Sequence, residues 1–388
     1  MLLRKLGIGA GLISAGLLAL PFAGELRIRS SSQPLTDAWQ RTPVERRGST
    51  RLGISFRPPQ VEALGLDATS ILRNLLSYPF ELIRLGAYWN RIEPRSGVFD
   101  PSDLDWQVEA AERAGKQIVL AVGALKTFGY PELFIPAHRL AHPLPEGKLI
   151  GPAEYGSLLA AAQEFSTRIV ERYRDRASIV AWQVEHEAVD PLGLEHSWRL
   201  AAAFVEQEVA AVRAADPARP ILMNSFFPAS HLVALSQWWQ MRDQGDSLAV
   251  AQRLADVVGI DYYPRHALLR LGGRTLYVDG ARSFWQRRVR AQVFDWARAS
   301  AGRRLMITEG QAEPWEAVTM PPNPPGQAMA SCRPEDLIEY YNRWMRWARG
   351  AGITLDAYLF WGAEYWMLRQ QSGDPSYLRA FERVLTHA

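Results

Sequence analysis

Short apolar runs alternate with longer amphipathic segments from residue 51 to the end of the chain. In residues 155–173, for example, apolar side chains recur near the helical period on one face and charged side chains lie on another. The shorter apolar runs indicate buried strands. Eight strands are predicted at 52–56, 82–85, 117–122, 179–184, 220–223, 257–261, 305–308 and 355–361, with helices at 68–76, 104–114, 155–173, 198–214, 282–300, 336–349 and 377–385.

This alternation predicts an α/β protein with a (β/α)₈ (TIM) barrel as a single catalytic domain, residues 51–388. A doubly wound open sheet is the alternative, but no Gly-rich phosphate loop follows the first strand. In a barrel the reactive side chains lie where the strands end and the βα loops begin. The candidate chemistry is therefore sought at the carboxyl ends of the strands.

The N-terminus has a different composition. Arg4 and Lys5 precede an uncharged apolar run, residues 6–23, which is typical of a signal peptide and close to the length of about 18 residues that can span a bilayer. We predict that residues 1–24 are a signal peptide or membrane anchor and that residues 25–50 are a linker, both dispensable for folding. The protein is accordingly expected to be secreted or extracytoplasmic, and membrane-attached if the N-terminal segment is retained.

Charge and cysteine content exclude several other classes. The 44 Lys and Arg residues nearly balance the 41 Asp and Glu residues, so a nucleic-acid partner is not expected. A single cysteine, Cys332, excludes an internal disulfide. The seven His residues are scattered and lack a metal-binding spacing, so we expect no metal. We also expect that the protein needs no cofactor and is a monomer.

Two predicted strands end in carboxylates. The strand at 179–184 runs into Glu185-His186-Glu187, and the strand at 305–308 ends at Glu309. A single such Glu is equally consistent with a helix cap or an ion pair. Strands four and seven of a barrel lie on roughly opposite sides, so Glu187 and Glu309 are expected to face each other. Glycosidic bond cleavage needs such a pair of carboxyl groups, one protonated and one ionised.

An arginine and a tryptophan complete this candidate site. Arg84 lies within the apolar second strand, where a charge is costly unless it pairs with a carboxylate. Glu309 is its natural partner, with a structural ion pair elsewhere as the alternative. Trp361 ends the eighth strand, and its ring is suited to stacking on a sugar.

The motifs that carry these residues resemble a known group of enzymes. The segment Trp182-Gln-Val-Glu-His-Glu187 resembles the Trp-x-Val-x-Asn-Glu signature of glycoside hydrolase clan A, and Ile307-Thr-Glu309 resembles the strand-seven motif of that clan. Residues 88–100, 309–315 and 360–366 are similar to a cellulase-family-like group of bacterial hydrolases within it. The resemblance extends over nearly all of the chain from residue 51.

This resemblance implies a role for each matching residue. Glu187 would be the acid/base and Glu309 the nucleophile; Arg84 would hold the nucleophile, and Trp361 would form the floor of the sugar subsite. Tyr262 or Tyr263 would donate a hydroxyl group to the nucleophile. Because adjacent side chains of a strand point to opposite faces, at most one of these two tyrosines is expected to do so.

One position departs from the clan pattern. His186 replaces the usual Asn, whose amide donates to the sugar 2-hydroxyl; a neutral imidazole can also donate one such bond, but it titrates near neutrality. Trp315 follows a proline in an extended context that would present its ring to a glycan, and Glu313 and Glu364 lie where the wall of a sugar subsite is expected.

Two other polar residues follow predicted strands or end them. Lys126, in the loop after the third strand, is a candidate for sugar binding, with a solvated loop residue as the equal alternative. Asp261, at the end of the sixth strand, is expected to be structural.

The sequence therefore predicts a retaining glycoside hydrolase that acts on an oligo- or polysaccharide. A membrane-tethered glycan-binding barrel with little turnover is one alternative, motivated by His186. The other is a transglycosylase that remodels an envelope polysaccharide.

Overall fold

The computed structural model describes residues 25–190, 196–228, 230–241, 243–280, 283–299, 302–318 and 323–388. The predicted signal peptide or anchor, residues 1–24, lies outside these residues. Within the described ranges, no helix is both long enough and apolar enough to cross a membrane.

Eight parallel strands form a closed barrel, which confirms the predicted fold. The last strand closes the ring by pairing with the first, Ala357 opposite Arg51. The strands are β1 (Arg51–Ser55), β2 (Leu82–Gly86), β3 (Gln117–Ala121), β4 (Ile179–Gln183), β5 (Ile221–Phe227), β6 (Val257–Tyr262), β7 (Arg304–Gln311) and β8 (Ala357–Trp361).

A layer of apolar side chains fills the barrel interior, which makes the barrel a packed core and not a pore. Strands β2 to β7 each contribute one residue to this layer and β8 contributes two. Polar chemistry is thereby confined to the ends of the strands. The layer consists of Leu82, Val119, Ala181, Leu222, Val257, Met306, Ala357 and Leu359.

Helices surround the barrel, and most begin and end within a few residues of their predicted limits. The main exception is the predicted helix at 198–214, which begins only at Ala202 because Arg199–Leu200 pairs as a short strand with Leu149–Ile150. The α-helices are Ala38–Arg41, Pro58–Ala63, Ala68–Leu76, Trp89–Ile92, Ser102–Arg113, Gly156–Tyr173, Ala202–Ala215, His231–Met241, Ser247–Leu254, Phe284–Arg298, Pro334–Gly350, Ala363–Gln371 and Ser376–His387; Ala137–Arg139 and Trp315–Val318 are 3₁₀ helices.

Residues 25–50 are part of the folded unit, so the prediction of a linker there is wrong. The strand Leu26–Ser30 pairs antiparallel with Arg274–Asp279, which in turn pairs with Arg265–Leu271 in a hairpin after β6. Gln33–Pro34 pairs with Gln327–Ala328. These pairings join segments far apart in the sequence, and a polar segment gives no local sign of such a partner.

Candidate active site

A cavity of about 160 Å³ opens at the carboxyl ends of the strands. It contains six of the eight site residues predicted from the sequence; Arg84 lies behind the cavity wall, and Tyr262 lies elsewhere. The lining residues are Gly129, Tyr130, Glu132, His186, Glu187, Phe226, Tyr263, Glu309, Trp315 and Trp361.

Glu309 is held by one donor on each carboxylate oxygen. Arg84 Nη2 donates to Oε1, and the Tyr263 hydroxyl donates to Oε2 at 2.5 Å. Arg84 is completely buried, and its guanidinium lies 4.0 Å from the centre of the Phe128 ring. The arginine within an apolar strand is thus paired with the carboxylate predicted from the sequence. These contacts fix the orientation of the Glu309 carboxylate.

The structure decides between the two candidate tyrosines. Tyr262 points away from the cavity, and its ring packs edge-on against Trp344 at 5.6 Å and against Trp347 at 5.9 Å. It lies between the barrel and the helix Pro334–Gly350. Tyr262 is therefore a core residue, which corrects its assignment as a candidate site residue, and Tyr263 alone contacts Glu309.

Glu187 follows β4 in a strained backbone conformation. Its φ is 45°, in the left-handed region that non-glycine residues rarely adopt. Three hydrogen bonds hold this conformation: its N–H donates to Asn224 Oδ1 at 3.1 Å, and its carbonyl accepts from Lys126 Nζ at 3.0 Å and from the Asp190 N–H at 2.9 Å. The side chain is only 4% exposed, and burial raises its pKa well above the usual range, reinforced by negative charge on Asp261 and Asp190. Burial therefore favours the protonated form of Glu187.

His186 is neutral and has a defined tautomer. Burial, followed by the positive charges of Arg84 and Lys126, holds the pKa of His186 well below its usual value. The N–H of Glu187 can only donate, so the atom of Asn224 that it meets is the oxygen, and Asn224 Nδ2 then lies 2.8 Å from His186 Nδ1. Because that amide nitrogen donates, Nδ1 accepts and the imidazole proton lies on Nε2. His186 thus offers a single N–H donor, as the amide that it replaces would.

A third carboxyl group, that of Asp261, lies close to Glu187 and Glu309. Asp261 is completely buried; Thr308 Oγ1 donates to its Oδ1 at 2.6 Å, and Asn224 Nδ2 donates to its Oδ2. Burial, followed by the charge of Glu309, raises its pKa well above the usual range. The sequence favoured a structural role for Asp261, and these contacts agree with it. Asn224 was not singled out from the sequence, although it links Asp261, His186 and Glu187.

Trp361 rests on a buried ion cluster. The guanidinium of Arg57 lies 4.0 Å from the centre of the Trp361 ring and forms salt bridges with Glu313 at 3.0 Å and with Glu364 at 2.5 Å. The motif glutamates Glu313 and Glu364, expected to form a subsite wall, therefore anchor Arg57 behind the tryptophan. Trp361 itself faces the cavity. The two ion pairs fix the position of Trp361, and their residues are not part of the cavity lining.

Trp315 and the loop after β3 also line the cavity. Trp315 stacks on His266 with 4.3 Å between ring centres and lines the cavity. Tyr130 and Glu132 also line it, and burial raises the pKa of Glu132 to about 8. Lys126, a sugar-binding candidate from the sequence, is buried and donates to the carbonyls of Glu187 and Asp190, so it supports the site from behind.

Among the residues that the structure describes, two groups of side chains lie close enough for metal binding. One is Glu132, His186 and Glu187, and the other is His186, Asp261 and Glu309; within each group, one potential ligand atom per residue lies within 4.8 Å of the others. Protein donors already occupy both oxygens of Glu309 and of Asp261 as well as His186 Nδ1. That no metal is required remains a prediction.

Comparison with known proteins bears on this site. The glycoside hydrolase 42 family model, described as beta-galactosidase, matches residues 67–206, a segment that includes Glu187 and ends before β7. No curated protein matches the chain.

Solved structures share the barrel. Xylanase 10B from Thermotoga petrophila, in complex with xylobiose, is 14% identical with a TM-score of 0.51, over 87% of this chain and 94% of its own. A family 5 subfamily 18 glycoside hydrolase from Streptomyces cattleya, in complex with GlcNAc, is 16% identical with a TM-score of 0.50, over 88% of this chain and 81% of its own. At these sequence identities, the similarity shows a shared fold and nothing more. The barrel, the partial family match and the two glutamates at the ends of β4 and β7 together confirm the resemblance of this chain to the clan A glycosidases.

Proposed function

We propose that the protein is a retaining glycoside hydrolase that cleaves O-glycosidic bonds in an oligo- or polysaccharide. The observation that carries this proposal is the contrast between two carboxyl groups in one cavity. Glu309 forms an ion pair with Arg84 and accepts a hydrogen bond from the Tyr263 hydroxyl, whereas burial and nearby negative charges raise the pKa of Glu187 and favour its protonated form. Double displacement at a sugar needs one carboxyl group in each of these states.

In the first step, a carboxylate oxygen of Glu309 attacks the anomeric carbon. The bond to the leaving oxygen breaks with its electron pair on that oxygen, which takes the proton of Glu187. The product is a sugar esterified to Glu309. In the second step, ionised Glu187 removes a proton from water, the water oxygen attacks the anomeric carbon, and Glu309 is released.

Neighbouring residues serve these two steps without changing their own covalent state. His186 carries a proton on Nε2 and is placed to donate to a sugar hydroxyl, the role of the amide that it replaces in the clan pattern. Trp361 offers an aromatic face to the ring of the bound sugar. Tyr263 keeps the nucleophile oriented through both displacements.

The test is a screen of aryl β-glycosides and plant and bacterial polysaccharides, with the anomeric configuration of the first product followed by proton NMR. We expect the β-anomer to form first and then mutarotate. Initial release of the α-anomer would indicate inversion and contradict the mechanism. Binding without turnover would favour the glycan-binding alternative, and products longer than the substrate would favour transglycosylation.

We also propose an extracytoplasmic location, with the N-terminal segment as signal or anchor. The apolar run 6–23 supports this, as does the small sheet that begins only a few residues later at Leu26. That sheet exposes Ile28, Leu269 and Leu271 at 64%, 57% and 76%. Cell fractionation, with N-terminal sequencing of the recovered protein, tests this: recovery of the intact chain from the soluble cytoplasm would contradict it.

A further inference from the structure

A second cavity lies beside the catalytic one. Its volume is about 240 Å³, against about 160 Å³ for the catalytic cavity. Phe226, at the carboxyl end of β5, lines both cavities, so the two cavities are neighbours. Three helices after β5 and β6 complete its walls: His231–Met241, Ser247–Leu254 and Phe284–Arg298.

Two tryptophans line this second cavity, Trp238 and Trp285. Trp238 is 58% exposed, although a large apolar side chain gains by burial. An exposed indole next to a catalytic pocket is the kind of surface that stacks on the C–H faces of a sugar ring. Trp239, its neighbour in the same helix, is equally exposed at 61% but does not line the cavity.

The polar groups of the cavity are suited to neutral sugar hydroxyls. Gln237 and Gln292 provide amides that can both donate and accept. Asp190 and Asp246 add carboxyl groups, and Asp190 Oδ1 has no hydrogen-bond partner among the described residues. The acidic side chains of Asp190 and Asp246 in the lining would repel an anionic sugar, which favours a neutral one.

We propose that this second cavity binds a further, neutral sugar unit of the oligosaccharide that is cleaved between Glu187 and Glu309. The inference rests on the proposed function and deepens it, because it assigns the substrate class. Because Phe226 lines both cavities, a glycan that extends past this side chain from the catalytic cavity reaches the second one. The enzyme then prefers oligosaccharides over monosaccharide glycosides.

The test compares Trp238→Ala with Trp239→Ala, which remove neighbouring exposed indoles from the same helix. The measurement is kcat/KM for a p-nitrophenyl monoglycoside and for neutral β-linked oligosaccharides of two to six units, with xylo-, manno- and cello-series as probes. We expect the oligosaccharide-to-monoglycoside ratio to fall about fivefold to tenfold in Trp238→Ala, the scale of one aromatic contact. Trp239→Ala should keep the parent ratio, and Trp238→Phe should recover part of it.

Calorimetric titration with the same oligosaccharides tests the cavity independently of turnover. Weaker binding of the oligosaccharides by Trp238→Ala than by Trp239→Ala supports the proposed sugar site, whether or not the parent cleaves them. Failure of the parent to cleave any of these probes would count against the proposed function and not against the sugar site. Equal effects of the two variants on both measurements would overturn it, and so would tighter binding of uronic-acid oligosaccharides than of neutral ones. Far-ultraviolet circular dichroism identifies a variant that has failed to fold, in which case Trp238→Phe decides.

Discussion

Replacing Tyr263 by Phe removes a single hydroxyl group from the site. That hydroxyl donates to Glu309 Oε2 at 2.5 Å, while the ring packs against Trp315 and Trp361 with centres 5.5 Å and 6.5 Å away. Phenylalanine preserves this packing. A hydrogen bond to a charged group contributes about 1.5–3 kcal/mol, so we expect kcat/KM to fall by about tenfold to 150-fold while the fold is retained.

Tyr262 provides the matched control. It is the adjacent tyrosine, is fully buried, and packs against the outer helices away from the cavity. Tyr262→Phe should leave kcat/KM on an aryl glycoside within about twofold of the parent, a bound set by its lack of contact with the reacting groups. Both variants would be assayed with the same substrate and compared for thermal unfolding. A Tyr263→Phe enzyme that matches the parent, beside a Tyr262→Phe enzyme that loses activity, would refute the assignment.

Three further predictions concern charge and proton donors. Negative Asp190 helps to raise the pKa of Glu187, so Asp190→Asn should lower that pKa and move the basic limb of the kcat/KM profile to lower pH; an unchanged limb would contradict this. His186→Ala removes an N–H donor and should reduce kcat/KM about 10²-fold, whereas His186→Asn should lose much less; equal losses would exclude a donor role. Arg84→Met leaves Glu309 buried without its cation and should lower the free energy of unfolding by about 3–5 kcal/mol in urea titrations; a loss below about 1 kcal/mol would argue against a buried pair.

The barrel, and the position of Glu187 and Glu309 in one cavity, were predictable because their signals are local. Each barrel strand is a contiguous apolar run, and Glu187 and Glu309 each interrupt one at its end. Arg84 was informative for the same reason, since a charge inside an apolar strand requires a partner.

Other features depend on geometry that a linear pattern does not contain. The predicted fifth strand ended at residue 223, one position before Asn224, so Asn224 was not predicted as a site residue. Asn224 nevertheless sets the tautomer of His186. Its position as a polar residue at the end of an apolar strand could have identified it. Tyr262 and Tyr263 are chemically alike, and only the exact end of β6 decides which one faces the cavity. Glu313 was expected in a subsite wall, because its ion pair with Arg57, far away in the sequence, cannot be predicted from a linear pattern.

The roles of the two glutamates are tested most directly by azide rescue of Glu309→Ala and Glu187→Ala on an activated aryl β-glycoside. Without its nucleophile, Glu309→Ala should be inactive alone and, with azide in the cavity, yield the α-glycosyl azide, with inverted configuration. Glu187→Ala should still form the glycosyl–Glu309 intermediate, because an activated leaving group needs little protonation, and azide should then yield the β-glycosyl azide, with retained configuration. Identical configurations from the two variants, or near-parental activity of both on a glycan that the parent cleaves, would contradict the assignment of nucleophile and acid/base.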